Sequence, residues 1–332
     1  MLKALQFCAL KSEEPFFKDV ASRYPFTMDF VPSPLTPENL ALTKGYDAVW
    51  VLTSCPIDAA MAKGLAENGV RFVVSRAAGT DHLDLKALAE NGIRVANVPY
   101  YSPSAVAEFA IMTALCLLRR TKQSVHMVEQ RDFRLAGLKG RELGALQVGV
   151  MGTGRIGATT IKLLQGFGCA VAASDPYPNP SLAGIIPYVQ PKQLFAQSDL
   201  VFLHCPLTPE NQGFVNTDTL ATMPEGAYII NAARGGLVNH RDVLQALESG
   251  RLAGFGFDVY ENEAGFVRRK LAPEETLDAT LAALIAHPNA LYSAHVAFFT
   301  DKAIESMIEV TLGNLAQYAQ TGKCANEATG LA

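Results

Sequence analysis

Apolar residues fall along this chain in short runs separated by helical periodicities, and the alternation divides it into two series. In the first hundred residues Leu2–Leu10, Asp47–Thr53, Val70–Ser75 and Arg94–Val98 are runs of strand length. Glu14–Ser22, Pro37–Thr43, Asp58–Asn68 and Leu83–Asn91 space their apolar positions as helices do. Alternating strands and helices of this kind predict a parallel sheet covered on both sides. The rhythm breaks at Pro99-Tyr100-Tyr101-Ser102-Pro103, where two prolines bias the preceding residues away from helix. A long helix follows over Ser104–Thr121, capped by Ser104 and apolar on nearly every face. Such a helix is expected to be buried on all sides, between domains or against a second subunit.

The second series begins with a strand at Gln147–Met151, a helix at Arg155–Phe167 and a strand at Ala170–Ser174. Strand-like runs continue at Leu200–His204, Ala227–Asn231, Gly254–Val259 and Ala290–Ser293, with helices at Pro191–Ala196, Arg241–Gly250 and Thr276–Ala286. The closing helix, Asp301–Thr321, comes too late to extend this sheet and is expected to return to the first one. The predicted organisation is two doubly wound parallel-sheet domains, with residues 101–298 inserted between 1–100 and 299–332. A hinge is expected at the two crossovers, with the active site in the cleft between the domains.

The first two strands of the second series enclose Met151-Gly152-Thr153-Gly154-Arg155-Ile156-Gly157, a G-x-G-x-x-G turn between strand and helix. Gly152 permits the turn, Gly154 lets a pyrophosphate approach the backbone, and Gly157 lets the helix lie close to the strand. The helix N-terminus then offers N–H groups to an anion. Asp175 ends the next strand 18 residues after Gly157, near the spacing of a carboxylate that binds a ribose hydroxyl. The turn reads as a dinucleotide site; the alternative is a glycine-rich turn that binds nothing.

Composition narrows the setting. The 332 residues are about half apolar, 18% charged and carry a net charge of −4, with no Lys/Arg cluster to suggest nucleic acid. The longest apolar run, Ala105–Leu118, is interrupted by Glu108 and Thr113 and is too short to span a bilayer, so no membrane partner is expected. Six scattered cysteines without a C-x-x-C pair read as thiols in a reducing compartment, the cytoplasm, and no histidine spacing suits a metal.

Three polar residues follow strands of the second series, where open α/β sheets place ligands: Arg234, Glu263 and His295. An arginine fork holds a carboxylate bidentately, and a histidine exchanges a proton near neutral pH, a nearby carboxylate raising its pKa by favouring imidazolium. Each has a plainer reading: a loop ion pair for Arg234, a solvated turn acid for Glu263, a core histidine for His295. His204 follows a strand and is a candidate for lining the cofactor cleft, or simply a strand-end residue.

Taken together, these pieces are similar to the D-isomer-specific 2-hydroxyacid dehydrogenases over essentially the full length. The resemblance is carried by Ala78-Gly79-Thr80-Asp81, the Val98–Glu108 segment, the Gly152–Gly157 turn and Asp175-Pro176-Tyr177. It continues in His204-Cys205-Pro206-Leu207-Thr208, Asn231–Gly236, Asp258–Glu263 and His295–Thr300. It implies a Rossmann NAD-binding domain inserted into a flavodoxin-like substrate domain; the apolar helix 104–121 is the expected interface of a homodimer or dimer-based oligomer. Arg234, Glu263 and His295 carry over as the catalytic trio. Arg155, Ile156, Asp175, Cys205, Pro206, Asn211, Ala232 and Asp258 match NAD contacts; Ala78, Gly79 and Tyr101 match substrate contacts. Tyr101, Phe298 and Phe299 are expected pocket walls. Where the family usually has proline before the histidine, this chain has Ala294. The expected reaction is reduction of pyruvate to D-lactate, with D-2-hydroxyisocaproate or 2-hydroxyglutarate as rival substrates and a non-enzymatic NAD-sensing, corepressor-like protein as the rival class.

Overall fold

The computed structural model describes residues 1–9 and 23–328; the helix expected over Glu14–Ser22 lies outside them. The chain divides into two compact units, Met1–Ser102 with Thr300–Ala332, and Pro103–Phe299. The first unit holds strands β1 (Leu2–Gln6), β2 (Phe26–Phe30), β3 (Ala48–Val51), β4 (Phe72–Ser75) and β5 (Arg94–Ala96) in the order β2-β1-β3-β4-β5, every neighbouring pair parallel.

Strand β3 shows why this sheet needs two covers. Ala48, Val49, Trp50 and Val51 are all buried, and successive side chains go to opposite faces. Val49 and Val51 join Leu5, Val73 and Val95 under helices α1 (Ala59–Glu67) and α2 (Leu85–Glu90), which contribute Met61, Leu65 and Leu88. Ala48 and Trp50 join Phe72 and Val74 on the other face, under Ile308, Leu312 and Leu315 of the closing helix Asp301–Thr321. Each large apolar side chain so buried contributes about 2 kcal/mol. Asp58 and Asp84 cap α1 and α2 by accepting from Met61 N and Ala87 N at 2.8 and 2.9 Å.

The second unit opens with α3 (Pro103–Leu118) and α4 (Thr121–Glu129), then runs β6 (Gln147–Met151), α5 (Arg155–Gly166), β7 (Ala170–Ser174), α6 (Pro191–Gln197) and β8 (Leu200–Leu203). It continues with α7 (Thr217–Thr222), β9 (Ala227–Asn231), α8 (His240–Glu248), β10 (Leu252–Phe257), α9 (Ala279–Ala286) and β11 (Ala290–Tyr292). The parallel sheet has the order β11-β10-β9-β8-β6-β7. From β6 the chain moves outward to β7 and then crosses to β8 on the other side of β6, so the loops after β6 and β8 diverge. That divergence is a topological switch point, the place where such sheets bind ligands.

Four expectations need correction. The long helix begins at Pro103, a residue suited to the first helical position because it lacks an N–H, so Ser104 lies in the first turn and not at the cap. It stops at Leu118; Arg120, at φ 50°, separates it from α4. Nor is it buried all round: Ala110, Ile111, Ala114 and Leu117 enter the core, while Ser104, Glu108 and Met112, four residues apart, are exposed. The strand expected over Leu2–Leu10 ends at Gln6, where Cys8 takes a left-handed conformation incompatible with a strand.

Candidate active site

The glycine turn is fixed by close contact. Gly152 has φ 93°, and a Cβ there would stand 2.6 Å from Cys205 N, inside any tolerable contact. A Cβ on Gly157 would fall on the Gly152 carbonyl oxygen. Gly154 differs: a Cβ there would meet nothing within 4 Å, and as the N-cap of α5 it supplies no side chain to the helix N-terminus. The arrangement leaves open backbone beside exposed N–H groups, which is what a pyrophosphate requires.

Asp175, at the end of β7, faces this turn. Its Oδ2 accepts from Thr153 N at 2.6 Å and Thr153 Oγ1 at 3.1 Å, and its Oδ1 accepts from Tyr177 N at 2.8 Å. The carboxylate thus braces the turn while remaining an acceptor with spare lone pairs. After β8, the His204 imidazole is enclosed against Thr160 of α5, its Nε2 3.0 Å from the hydroxyl, and its Nδ1 has no hydrogen-bond partner. Burial lowers its pKa to about 4, so the ring is neutral. Burial pushes the Cys205 thiol up to about 11, with the Asp175 charge adding to it. Asn211 braces the next turn, accepting from Thr208 N and donating to Pro206 O, each at 2.8 Å.

The loops after β9, β10 and β11, three adjacent strands, carry Arg234, Glu263 and His295. His295 Nδ1 hydrogen-bonds Glu263 Oε1, and Tyr260 N donates to Glu263 Oε2 at 2.9 Å. A carboxylate only accepts, so Nδ1 carries the hydrogen and Nε2 is left to exchange a proton. Both side chains keep partial exposure, 26% and 20%. Arg234 sits behind a brace of its own, its carbonyl accepting from Asn231 Nδ2 at 2.9 Å. Phe298 stands edge-on to the His295 ring at 6.3 Å, with the Arg268 guanidinium 5.4 Å from the Phe298 ring.

The histidine loop is held by Asp258, which is 3% exposed. Its Oδ1 accepts from Ser293 Oγ and Val296 N at 2.7 and 2.8 Å, its Oδ2 from Ala297 N at 2.9 Å, and its carbonyl from His295 N. Four contacts hold Ala294 and His295 at φ 52° and 60°, a conformation costly for residues with a Cβ. Proline, locked near −65°, cannot take the Ala294 conformation, so the absence of proline here goes with the shape of the loop.

The family model for the D-isomer specific 2-hydroxyacid dehydrogenase NAD binding domain matches residues 111–297. The chain belongs to the D-isomer-specific 2-hydroxyacid dehydrogenase family. It is 36% identical to an aromatic 2-oxoacid reductase of Clostridium sporogenes, over 98% of this chain and 99% of the relative. It is 35% identical to a D-lactate dehydrogenase of Streptococcus agalactiae, over 97% and 98%. The solved structure of a D-2-hydroxyisocaproate dehydrogenase superposes with a TM-score of 0.89 at 35% identity, covering 99% of this chain and all of the other. This dehydrogenase is accordingly an NAD-dependent oxidoreductase of the CH–OH group of 2-hydroxy acids, built from two parallel-sheet α/β domains of which one is a Rossmann NAD-binding domain.

In the dehydrogenase's other unit, Ala78 and Gly79 lie in the loop after β4 and Tyr101 follows β5; the Ala78 carbonyl accepts from Asn97 Nδ2 at 2.7 Å. Sequence reasoning passed over Ser293 and gave Asp258 only a cofactor role. Asp258 falls at the end of an apolar strand, a signal for function, but its bond to Ser293 across 35 positions depends on β10 pairing with β11. A polar cavity of about 410 Å³ lies beside the same loops, lined by Gly236, Asn239, Arg241, Tyr260, Glu261 and Asp278 among others; Arg234, Glu263 and His295 are not in its lining. Among the described residues no group of His, Cys, Asp and Glu is arranged to hold a metal ion, and no helix is long and apolar enough to cross a membrane.

Proposed function

We propose that this dehydrogenase reduces pyruvate to D-lactate, with His295 as proton donor. The observation that carries the reading is the hydrogen bond from His295 Nδ1 to Glu263 at the ends of neighbouring strands, in line with the loop that carries Arg234. Gly152–Gly157 with Arg155 and Ile156, together with Asp175, Cys205, Pro206, Asn211, Ala232 and Asp258, would hold NADH, which would supply the hydride when bound. Arg234 takes the carboxylate of the 2-oxo acid in its fork and polarises the adjacent carbonyl. Protonated His295 gives its Nε2 proton to the oxygen as alkoxide charge develops there. Glu263 orients the ring and stabilises the imidazolium before transfer.

Ala78, Gly79 and Tyr101 are assigned to the substrate carboxylate, and Tyr101, Phe298 and Phe299 to the walls around its side chain. Aromatic walls favour a small apolar substituent, and the resemblance to a D-lactate dehydrogenase supports pyruvate. The equal resemblance to an aromatic 2-oxoacid reductase makes phenylpyruvate the competitor to test. The decisive measurement is NADH oxidation with pyruvate, phenylpyruvate, 2-oxoisocaproate and 2-oxoglutarate, with chiral analysis of the product. The highest kcat/KM for pyruvate and a D product are expected; a preference for phenylpyruvate overturns the substrate, and an L product or no turnover with any acid overturns the site.

A homodimer belongs to the same reading. Met112 on α3, Val125 and Val128 on α4, and Phe133 and Leu135 after it are 44 to 86% exposed, an apolar surface suited to a second copy. Light scattering at twice the chain mass is expected. Six thiols fit a cytoplasmic setting.

A further inference from the structure

The first unit has a switch point of its own, between β1 and β3, and two sulfur atoms meet there. Cys8 follows β1 and Cys55 follows β3; their Sγ atoms stand 3.5 Å apart. Cys55 is fully buried and held in place by Leu35 N, which donates to its Sγ at 3.3 Å. Cys8 is partly exposed, its Sγ 3.3 Å from Ser54 Oγ. One thiol can therefore be reached from solvent and the other cannot. Cys8 also takes φ 57°, with its N–H donating to Ser33 O at 3.1 Å, so the backbone that presents this sulfur is held away from its easiest conformation.

We propose that Cys8 and Cys55 are an oxidisable dithiol, a modification site for hydroperoxides and small-molecule disulfides that closes to a reversible intramolecular disulfide between the ends of β1 and β3. The Cys8 thiolate attacks one peroxide oxygen; the O–O bond breaks, hydroxide leaves to be protonated as water, and Cys8 becomes a sulfenic acid. The Cys55 sulfur then attacks the Cys8 sulfur. The S–S bond forms, the S–O bond breaks, and the second water departs with the Cys55 proton. The two sulfurs lose one electron each, and hydrogen peroxide is reduced to two waters or an alkyl hydroperoxide to an alcohol and one water. With a disulfide as oxidant, the same two attacks release two thiols. Cys8 is the first nucleophile because it alone of the two is open to solvent, and the adjacent Cys8 thiol together with burial holds Cys55 protonated far above the usual thiol range.

Closure has a consequence along the chain. The sulfurs must approach from 3.5 Å to about 2.05 Å, drawing the turn that bears Cys55 toward β1. That turn is tied to the next loop: Ile57 N donates to His82 O and Asp84 N to Ile57 O, both at 2.8 Å, and His82 Nε2 is 3.1 Å from Ser75 Oγ. Ala78 and Gly79 lie between Ser75 and His82, so oxidation shifts the loop assigned above to the substrate carboxylate. This consequence rests on that assignment, whereas the disulfide itself does not.

The test uses the full-length protein, reduced, desalted and exposed to hydrogen peroxide or to oxidised glutathione. Peptide mapping without reductant should find Cys8 and Cys55 joined with the loss of two hydrogens, restored by dithiothreitol. KM for the 2-oxo acid should rise roughly five-fold or more, with NADH affinity kept. Cys8→Ser should start from the wild-type KM and show neither the cross-link nor the rise. Oxidation mapped to other cysteines, with Cys8 and Cys55 still reduced, overturns the dithiol. A Cys8–Cys55 cross-link with unchanged KM upholds the dithiol and overturns the substrate role of the Ala78-Gly79 loop.

Discussion

The two units solve the same topological problem with different residues. Each is a parallel sheet whose chain reverses direction next to its first strand, leaving a gap between diverging loops, β1 and β3 in one and β6 and β8 in the other. At the second gap stand Gly152, Gly154 and Gly157, with an acid at the neighbouring strand end. At the first stand Cys8, Ser54 and Cys55, whose side chains meet one another across the gap. Topology provides the place; whether the loops present bare backbone or side chains decides what occupies it.

The hardest blow to this contrast falls on the chemistry at the second sheet's edge. His295→Gln should lower kcat for oxo-acid reduction by about two to four orders of magnitude, the usual worth of a general acid. Titration of NADH fluorescence should show nearly unchanged affinity, since Gly152–Gly157 and Asp175 are untouched. Turnover near wild type would remove His295 from the proton path and return it to the role of a core histidine.

Next in size is cofactor choice. Asp175 should favour NADH over NADPH by about two orders of magnitude in kcat/KM, because its charge opposes a 2′-phosphate. Asp175→Ala should shrink that ratio chiefly by weakening NADH. Part of the weakening has a local cause, since the carboxylate also receives Thr153 N and Tyr177 N. Equal wild-type rates with both cofactors at sub-saturating concentration would show that Asp175 serves the turn alone.

Most of this architecture is legible in the chain because continuous apolar runs and helical periods report burial directly. Gln147–Met151, Ala227–Asn231 and Asp301–Thr321 occupy the spans their patterns predict. Strand β2 escapes because it is an edge: in Phe26-Thr27-Met28-Asp29-Phe30 only Phe26 is buried, so no apolar run marks it. Helix α7 escapes because six residues with one buried side chain, Leu220, show no period. The contact of Glu263 with His295 and the meeting of Cys8 with Cys55 depend on which strands pair, which local pattern does not encode. The six cysteines read as scattered, yet two are neighbours because β1 pairs with β3.

The smallest expected effect falls on stability and comes from a second histidine in the same unit. His295 sits at the sheet's edge against a carboxylate; His240, on α8, is 1% exposed, surrounded by the rings of Phe255, Phe257 and Tyr260, with both ring nitrogens lacking a hydrogen-bond partner. Burial lowers its pKa from 6.5 to about 4, only partly offset by Asp278. The unfolded chain therefore binds this proton first as pH falls. Its contribution to stability is whole above about pH 6.5 and is lost as pH falls through that range toward the folded value near 4. At pH 5 the loss is about 2 kcal/mol, or roughly 4–8 °C in Tm for a unit of this size. Glu261, 4.0 Å from the His240 Nδ1 and with its pKa raised by burial, works in the opposite sense and trims the effect. His204, also near 4, adds to it from the end of β8. Calorimetry of wild type and His240→Leu at pH 7.5 and pH 5 isolates the term. The variant should lose less Tm on acidification, and an equal loss in both proteins would mean that His240 is protonated in the folded state or that its ring is solvated there.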